Sequence, residues 1–579
     1  MSRKLVTPNS KRSSVWKHFG FEVDDCGVQI DKKTVWCRVC DARVAYSGNT
    51  SNLSAHINKC QKISKISGEI KKPRMPILAK LPASSKRARD MTIAITNFIV
   101  KDLHPIDIIN GKGFREMLEM AAPEYTIPNE NMIFENLISM AEEQRKAILE
   151  TLKLVDHVCL TIDCWESVSM RSYLEVTCHF IDSQWKMQSI NIGAKELVDK
   201  YTAENIISTL QQFEEEWGLV GKVVAYVVEK SSKVSEAVNL LPSAYINCCG
   251  HSLQRAILSV LNGVKPVADL IGKGKMITEY FIFNAEARIK LESAMVDLLK
   301  IQNVTRRWHS ILDMLKFLKL NKNVINLIVS TNFKTKTLVL NDTDMIKIEH
   351  VISVLEIMAE AVTYLGDQNY VCASVVLPIL RNVMKSLCSQ SDDPDYIKDL
   401  KQSLSTELMF KQWTKNSTLI KTSALDPRFK ALKFLPMEKG DHTWVELQLE
   451  FDNSNIKLEN IEESANDLVV QPPKKKRRFL DDSDDENDSF LTETVKEVDL
   501  YKNERKTDEE PLDWWKIHQH IYPNLAKLAR RYLCVTATNI PCDRIFNAPG
   551  NPVVEKRARL TDSMINTIIF VNGYRMKNI

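Results

Sequence analysis

The amino-acid sequence predicts a multidomain α/β protein with large all-α parts. Three observations indicate this fold class. The chain has 579 residues, which is too long for a single hydrophobic core. Cysteine and histidine residues with metal-ligand spacing lie near its beginning. Short runs of β-branched residues concentrate between residues 157 and 248, and helical apolar patterns precede and follow them.

The overall composition excludes several classes of protein. Hydrophobic residues make up 44% and charged residues 26%, and the net charge of +4 carries no general nucleic-acid signal. The 13 cysteines are scattered, which indicates free thiols in a reducing compartment and one metal site. We find neither a signal-peptide pattern nor an apolar run that could span a bilayer. We therefore expect an intracellular protein with no membrane partner.

Four residues near the beginning of the chain have the spacing of a structural zinc site. Cys37, Cys40, His56 and Cys60 form the pattern C-x2-C-x15-H-x3-C. Leu53 shares one helix face with the last two of them. Four protein ligands complete a tetrahedral shell, so the expected Zn²⁺ is structural and not catalytic. The alternative is a pair of unrelated cysteines beside a core histidine.

The residues around these ligands resemble a BED-type zinc finger, which is a DNA-binding module. Trp16 and Phe19 precede the first cysteine pair, and the run 49–53 leads into the second ligand pair. We place the finger at residues 10–66 and a basic flexible linker at residues 67–90. The resemblance implies double-stranded DNA as a partner. The residues expected to contact DNA are Arg43, Ser47, Asn49 and Asn52. The alternative for each of them is an ordinary solvated side chain that does not contact DNA.

A predicted buried strand at residues 157–163 ends in Asp163. Two further strands follow with short links and form an antiparallel meander. A helix and another buried strand come next, and that strand ends at Glu229. Carboxylates at strand ends can hold a hard divalent cation. The alternative is that Asp163 only starts the next turn.

This succession of elements resembles a ribonuclease-H-like core, and later motifs resemble the hAT superfamily of DNA transposases. Cys248 and His251 match the C-x2-H motif of that family, although both could be core residues. The resemblance implies that Trp308 contacts a flipped base, with packing as the alternative. It also implies three catalytic carboxylates, which in this chain are Asp163, Glu229 and Asp543.

These carboxylates depart from the family's order. The family has Asp, Asp and Glu, whereas this chain has Asp, Glu and Asp. Each exchange moves a carboxylate by one methylene group, and a displacement of about 1 Å can reduce a rate about a hundredfold. We therefore expect a vestigial site and no transposase activity.

The remaining predicted domains follow from apolar periodicity, charge blocks and the family resemblance. Opposed charge blocks without apolar periodicity predict disorder between the helical insertion and the C-terminal region. The C-terminal region is expected to complete the core. The ranges are a helical domain at 91–155, the ribonuclease-H-like core at 156–265, an all-helical insertion at 266–450, a disordered charged segment at 451–510 and a hAT C-terminal dimerisation region at 511–579.

Two features of the second half of the chain predict partners. A compact basic block resembles a nuclear localisation signal and implies a nuclear import receptor, with a solvated loop as the alternative. The block consists of Lys474, Lys475, Lys476, Arg477 and Arg478. The C-terminal region has more apolar residues than a short tail can bury, which implies a homodimer or a higher oligomer. The residues expected at the interface between the copies are Trp514, Trp515, Leu525 and Leu528. The alternative is that these residues pack inside their own chain.

These features together predict a nuclear, dimeric, sequence-specific DNA-binding protein derived from a hAT transposase. We expect it to lack transposase activity and to act in transcription or chromatin regulation. One alternative is an active hAT transposase that uses a divalent metal. A second alternative is a SUMO E3 ligase or another interaction protein, which no local sequence feature supports or excludes.

Overall fold

The structure is a computed structural model. It describes residues 4–7, 13–60, 80–166, 170–197, 202–230, 232–294, 308–331, 333–366, 371–450, 497–539 and 564–575. The predictions for Asp543 and for the basic block at 474–478 lie outside the described residues. The chain divides into two compact units, residues 1–82 with 119–126 and residues 83–118 with 127–579.

The described residues up to Cys60 in the N-terminal unit form a small antiparallel sheet followed by one α-helix. The strands β1 to β4 lie in sequential order, and helix α1 follows them. Their core is aromatic, with Trp16, Phe21 and Tyr46 packed at ring distances of 5.1–5.5 Å. The bounds are β1 Leu5–Val6, β2 Phe19–Glu22, β3 Thr34–Cys37, β4 Arg43–Ala45 and α1 Ser51–Lys59, with a 3-10 turn at Ser14–Lys17.

Three α-helices lie in the described residues between 80 and the first strand of the central sheet. They are α2 Lys86–Asp102, α3 Lys112–Ala121 and α4 Glu130–Lys153, with a 3-10 turn at Ile106–Asn110. The prediction of a flexible linker up to residue 90 is wrong for residues 86–90. Ser85 caps α2 by accepting a hydrogen bond from the Ala88 N–H at 3.2 Å, and the buried face of the helix begins at Ala88.

The central sheet is mixed and has five strands in the order β7-β6-β5-β8-β9. The first three strands form the predicted antiparallel meander, whereas β8 and β9 run parallel to β5. Helix α5 connects β7 to β8, and α6 connects β8 to β9. The bounds are β5 Val158–Glu166, β6 Ser172–Ile181, β7 Met187–Glu196, α5 Ala203–Trp217, β8 Val223–Val228, α6 Ser232–Asn239 and β9 Ala244–Asn247.

A long series of helices follows the sheet, as the apolar periodicity predicts. Leu355 and Met358 of the predicted apolar stripe are fully buried, so the stripe is core. The bounds are α7 Cys249–Gly263, α8 Lys265–Phe283, α9 Ala285–Ala294, α10 Trp308–Val329, α11 Asp342–Gly366, α12 Val376–Ser386, α13 Asp395–Leu408, α14 Phe410–Trp413 and α15 Ser417–Ala424. Residues 437–450 are also helical. Across the described ranges, no helix is both long enough and apolar enough to cross a membrane.

The C-terminal helices return to the central sheet. They are α16 Pro511–His518, α17 Pro523–Leu533 and α18 Ile565–Arg575. The Asn539 side chain donates a hydrogen bond to the Ile162 carbonyl of β5 at 2.7 Å. The Asn566 side chain accepts one from the Ala194 N–H of β7 at 3.0 Å. These bonds join the end of the chain to two strands that are more than 350 residues earlier.

Residues 497–510 contradict the prediction of disorder, which extended to residue 510. Residues 497–503 are helical, and Tyr501 is fully buried. The Glu497 carboxylate accepts hydrogen bonds from the backbone N–H groups of Asn524 and Leu525, both at 3.1 Å. These groups lie in the first turn of α17, where the N–H groups have no partner inside the helix. Glu497 lies in the segment that was predicted to be disordered, and its carboxylate instead caps helix α17.

The four apolar residues expected at a dimer interface are buried inside this chain. None of Trp514, Trp515, Leu525 and Leu528 is more than 5% exposed. The Trp515 indole N–H donates to the Leu425 carbonyl at 2.8 Å. The structure therefore favours the alternative, which is packing inside the chain.

Candidate metal centre and nucleic-acid interface

The four predicted zinc ligands converge in the N-terminal unit. Cys37 ends β3, Cys40 lies in the following turn, and α1 brings His56 and Cys60 to the same point. Their ligand atoms all lie within 4.8 Å of one another. The sulfur of Cys40 is 3.2 Å from Nε2 of His56, which identifies Nε2 as the donor nitrogen. Among the described residues, this is the only group of at least three potential metal-ligating side chains that converges so closely.

The donor set fits a structural zinc ion. Partial burial, together with the neighbouring thiols of Cys37 and Cys60, raises the pKa of Cys40 to about 11. Three clustered thiols do not ionise together without a compensating cation, and Zn²⁺ supplies that charge for thiolate and imidazole ligands. Since all four tetrahedral positions have a protein donor, no coordination position is open for substrate. The cofactor of this finger is structural zinc.

Local backbone and aromatic contacts position these ligands. The Cys37 N–H donates to the Ala42 carbonyl at 2.9 Å and closes the turn that contains Cys40. Asp41 adopts a left-handed conformation in that turn, with φ of 57°. The Phe19 ring contacts the His56 ring edge-to-face at 5.6 Å. The buried aromatic core therefore orients the imidazole towards the cysteines.

Helix α1 presents a polar face to solvent, opposite the zinc ligands. Leu53 is fully buried, whereas the residues on the outer face are exposed. That face consists of Ser51, Asn52, Ala55, Asn58 and Lys59. The spacing of these residues matches the helical period, and the major groove of DNA is wide enough for a helix. Sequence reasoning identified Asn52 but missed Asn58, which the helical period could have indicated.

The other predicted DNA contacts lie beside this helix. Arg43 forms an ion pair with Asp31 at 3.0 Å, and both side chains are solvent-exposed. Asn49 accepts a hydrogen bond from the Ser51 N–H at 3.3 Å, and Ser47 is exposed. The Asn52 side-chain amide donates to the Ala45 carbonyl at 3.3 Å. All four residues therefore lie on one module, but three of them already have partners within it.

The structure places Asp163 and Glu229 at the same edge of the central sheet. In the parallel pairing of β5 with β8, Ile162 lies opposite Val228, and each carboxylate belongs to the next residue. Asp163 does not end its strand, contrary to prediction. It pairs with Glu175 of β6 because the antiparallel ladder extends beyond the parallel one.

His251 lies between the strand ends and the C-terminal region. Its Nε2 is 3.9 Å from a carboxylate oxygen of Glu229, and its Nδ1 is 3.1 Å from the side-chain oxygen of Asn539. Its backbone N–H donates to the Cys248 sulfur at 3.5 Å. Burial favours the neutral imidazole. The sulfur of Cys248, followed by the carboxylates of Glu229 and Asp163, outweighs burial and raises the pKa of His251 to about 9.

Trp308 does not fit its expected role in contacting a base. It is 0% exposed and packs against His309 with a ring distance of 3.8 Å. A nucleotide can stack only on an accessible ring face, so this arrangement favours the alternative of core packing.

Comparison with known families agrees with the three parts of this architecture. The model of the BED zinc finger matches residues 13–62, which contain all four zinc ligands. The model described as the ZBED1 RNase-like domain matches residues 161–249, from β5 to the beginning of α7. The model of the hAT family C-terminal dimerisation region matches residues 486–574. The chain therefore contains a BED zinc finger near its beginning and a region similar to the hAT C-terminal dimerisation region.

Proteins similar to this chain include both zinc-finger proteins and transposases. It is 22% identical to the zinc finger BED domain-containing protein DAYSLEEPER of Arabidopsis thaliana, across 99% of this chain and 89% of the relative. It is 20% identical to a putative transcriptional regulator, tpeD, of Talaromyces stipitatus, across 98% of this chain and 72% of the relative. It is 22% identical to a putative AC transposase of Zea mays, across 81% of this chain and 63% of the relative.

Proposed function

We propose that this protein binds specific sequences of double-stranded DNA through its zinc finger and regulates transcription or chromatin. The observation that carries the proposal is the complete zinc-ligand cluster, which holds α1 with its polar face towards solvent. A relative described as a putative transcriptional regulator supports the regulatory role. We place the protein in the nucleus, where the basic block at 474–478 is the proposed signal for an import receptor.

The proposed DNA contact predicts that α1 determines sequence preference. The full chain should select a defined site from random duplex DNA. Replacement of Asn52 and Asn58 by alanine should then weaken binding to that site about tenfold or more, because each lost base contact costs about 1–3 kcal/mol. The measurement is a fluorescence-anisotropy titration with the selected duplex and with a scrambled duplex.

The matched control for this experiment is Asn262→Ala. Asn262 is an exposed asparagine on α7 and lies outside the finger. If the control and the double variant bind the selected duplex with equal affinity, α1 is not the helix that contacts the bases.

We further propose that the central domain is a ribonuclease-H-like scaffold that has lost its chemistry. Its sheet order and the carboxylates at one edge support the family relationship. Two-metal catalysis requires carboxylates that place the cations about 4 Å apart. Glu229 is one methylene longer than the family's Asp, and Asp543 is one shorter than the family's Glu. Octahedral Mg²⁺ tolerates such displacements poorly.

The purified chain should therefore not nick duplex DNA that carries its selected site, with either Mg²⁺ or Mn²⁺. The informative comparison is the double reversion Glu229→Asp with Asp543→Glu, which restores the family's order of carboxylates. If the altered side-chain lengths cause the loss of activity, the doubly reverted protein should nick the duplex. Adding Asp163→Ala to the reverted protein should then abolish this nicking. Nicking by the native chain above the level of Asp163→Ala would instead support the second candidate, an active transposase.

We also propose that the chain associates with a second copy through the C-terminal region. The match to a dimerisation region supports this partner. Since Trp514 and Trp515 are buried, the exposed apolar side chains of the same region are better candidates. Ile517 is 67% exposed and Ile521 is 59% exposed.

Replacement of Ile517 and Ile521 by lysine should convert the dimer to a monomer in sedimentation velocity. The matched control is Leu320→Lys with Leu327→Lys, since both leucines are exposed on α10, outside the dimerisation region. A dimer that persists only in the control supports the proposed surface. Dimers of equal stability in both variants would exclude it.

A further inference from the structure

A cavity of about 280 Å³ lies between the edge of the central sheet and the helical insertion. Its sheet side includes Asn247 at the end of β9 and Lys230, which follows Glu229. Its helical side includes residues of α13, α14 and the beginning of α15. The volume is close to the lower limit of ligand pockets in proteins. In an open α/β sheet, ligands bind beyond the carboxyl ends of the parallel strands, which is where this cavity lies.

The charges that line the cavity are mainly positive. Lys230, Arg255 and Lys415 contribute to its wall, whereas Glu407 is the only carboxylate among the described residues that line it. Arg255 donates a hydrogen bond to the Lys230 carbonyl at 3.0 Å, which links two of the cationic residues. None of the three cations forms an ion pair with a carboxylate among the described residues. A concave site with unpaired cations favours an anionic ligand, and phosphate is a ligand that Lys and Arg bind well.

The cavity also has groups that suit a nucleobase. Trp413 and Tyr245 contribute aromatic surface, and the Trp413 indole is held by a hydrogen bond to the Leu408 carbonyl at 3.0 Å. Asn247 also lines the cavity, and its side-chain amide carries both a donor and an acceptor. An amide of this kind can form hydrogen bonds with the edge of a base. Aromatic rings stack on bases of any sequence.

We propose that this cavity binds one phosphorylated nucleotide, with its phosphate on the cationic residues and its base beside Trp413 and Asn247. The ligand is either a free mononucleotide or one nucleotide of a single DNA strand. This site is separate from the duplex contact proposed for the zinc finger and does not depend on it. The cations, the aromatic wall and the side-chain amide of Asn247 each match a different part of the same ligand.

The test measures binding of dAMP, of deoxyadenosine and of a ten-nucleotide single strand to the full chain by isothermal titration calorimetry. The variant Lys230→Gln with Lys415→Gln removes two of the three charges. Its matched control is Lys411→Gln with Lys433→Gln, which removes two exposed charges outside the cavity lining. We expect the cavity variant to bind dAMP and the single strand about tenfold or more weakly than the control.

Deoxyadenosine lacks the phosphate and should bind far more weakly than dAMP. Tighter binding of the single strand than of dAMP identifies a DNA strand as the source, and equal or weaker binding identifies a free nucleotide. No detectable binding of either phosphorylated probe, equal affinity in the two lysine variants, or equal affinity for dAMP and deoxyadenosine would each overturn the proposal. The variant Cys37→Ser should bind dAMP normally, which separates this result from failure of the zinc finger.

Discussion

Replacement of Cys37 by serine is expected to reduce affinity for the selected duplex about a thousandfold, to the level of non-specific binding. Cys37 is a buried ligand at the end of β3, and its loss leaves three donors for the zinc ion. Apparent free energies of structural zinc binding are about 10–16 kcal/mol, and a module this small has little other stabilisation. The finger should therefore unfold, and α1 should lose the orientation that presents Asn52 and Asn58.

The matched control is Cys26→Ser, because Cys26 is an exposed free cysteine of the same module. Zinc content can be measured by atomic absorption, and duplex affinity by anisotropy, for both variants and for the native chain treated with a chelator. The control should retain stoichiometric zinc and full affinity. Unchanged duplex affinity after verified removal of zinc would show that the DNA contact lies elsewhere in the chain.

Replacement of Trp515 by alanine is expected to destabilise the larger unit by about 3–5 kcal/mol, the usual cost of truncating a buried aromatic residue. Trp515 is fully buried and contacts both Tyr501, at a ring distance of 5.3 Å, and Trp514, at 5.0 Å. Its indole also donates to the Leu425 carbonyl, which would lose its partner. The measurement is the midpoint of urea unfolding, followed by circular dichroism.

The control for this substitution is Lys516→Ala, since that side chain is exposed on the same helix and is not among the residues proposed for association. It should change the stability by about 0.5 kcal/mol or less. Trp515→Ala should leave the association state of the folded protein unchanged. If the variant keeps the native urea midpoint but becomes monomeric, Trp515 belongs to the dimer interface and its buried packing does not explain its role.

The local features of the candidate site could be predicted from the sequence. The zinc ligands were identifiable because metal coordination limits the spacing of Cys37, Cys40 and the helical pair that follows. The strands were identifiable because buried β-branched runs stand out between helical patterns. Asp163 and Glu229 were each expected at a strand end, which is wrong for Asp163, and the parallel pairing of β5 with β8 brings both to the same sheet edge.

The features that the sequence did not reveal depend on contacts between distant residues. Trp515 and its acceptor Leu425 are 90 residues apart, and Asn539 and Ile162 are 377 residues apart. A run of charged residues has the same local pattern in a solvated segment and in a helix cap, so residues 497–510 were predicted to be disordered. Likewise, the tryptophan pattern in the C-terminal region does not distinguish an interface from a core.

The sequence by itself determined the zinc chemistry, the succession of strands and helices and the departure of the carboxylates from the family's order. These properties depend on residue identity, spacing and period, which are local. Only the tertiary structure decided that the paired tryptophans are buried, that Trp308 is packed and that cations from separate elements line one cavity. Burial and charge pairing are properties of the folded surface, and the chain creates that surface only when distant segments meet.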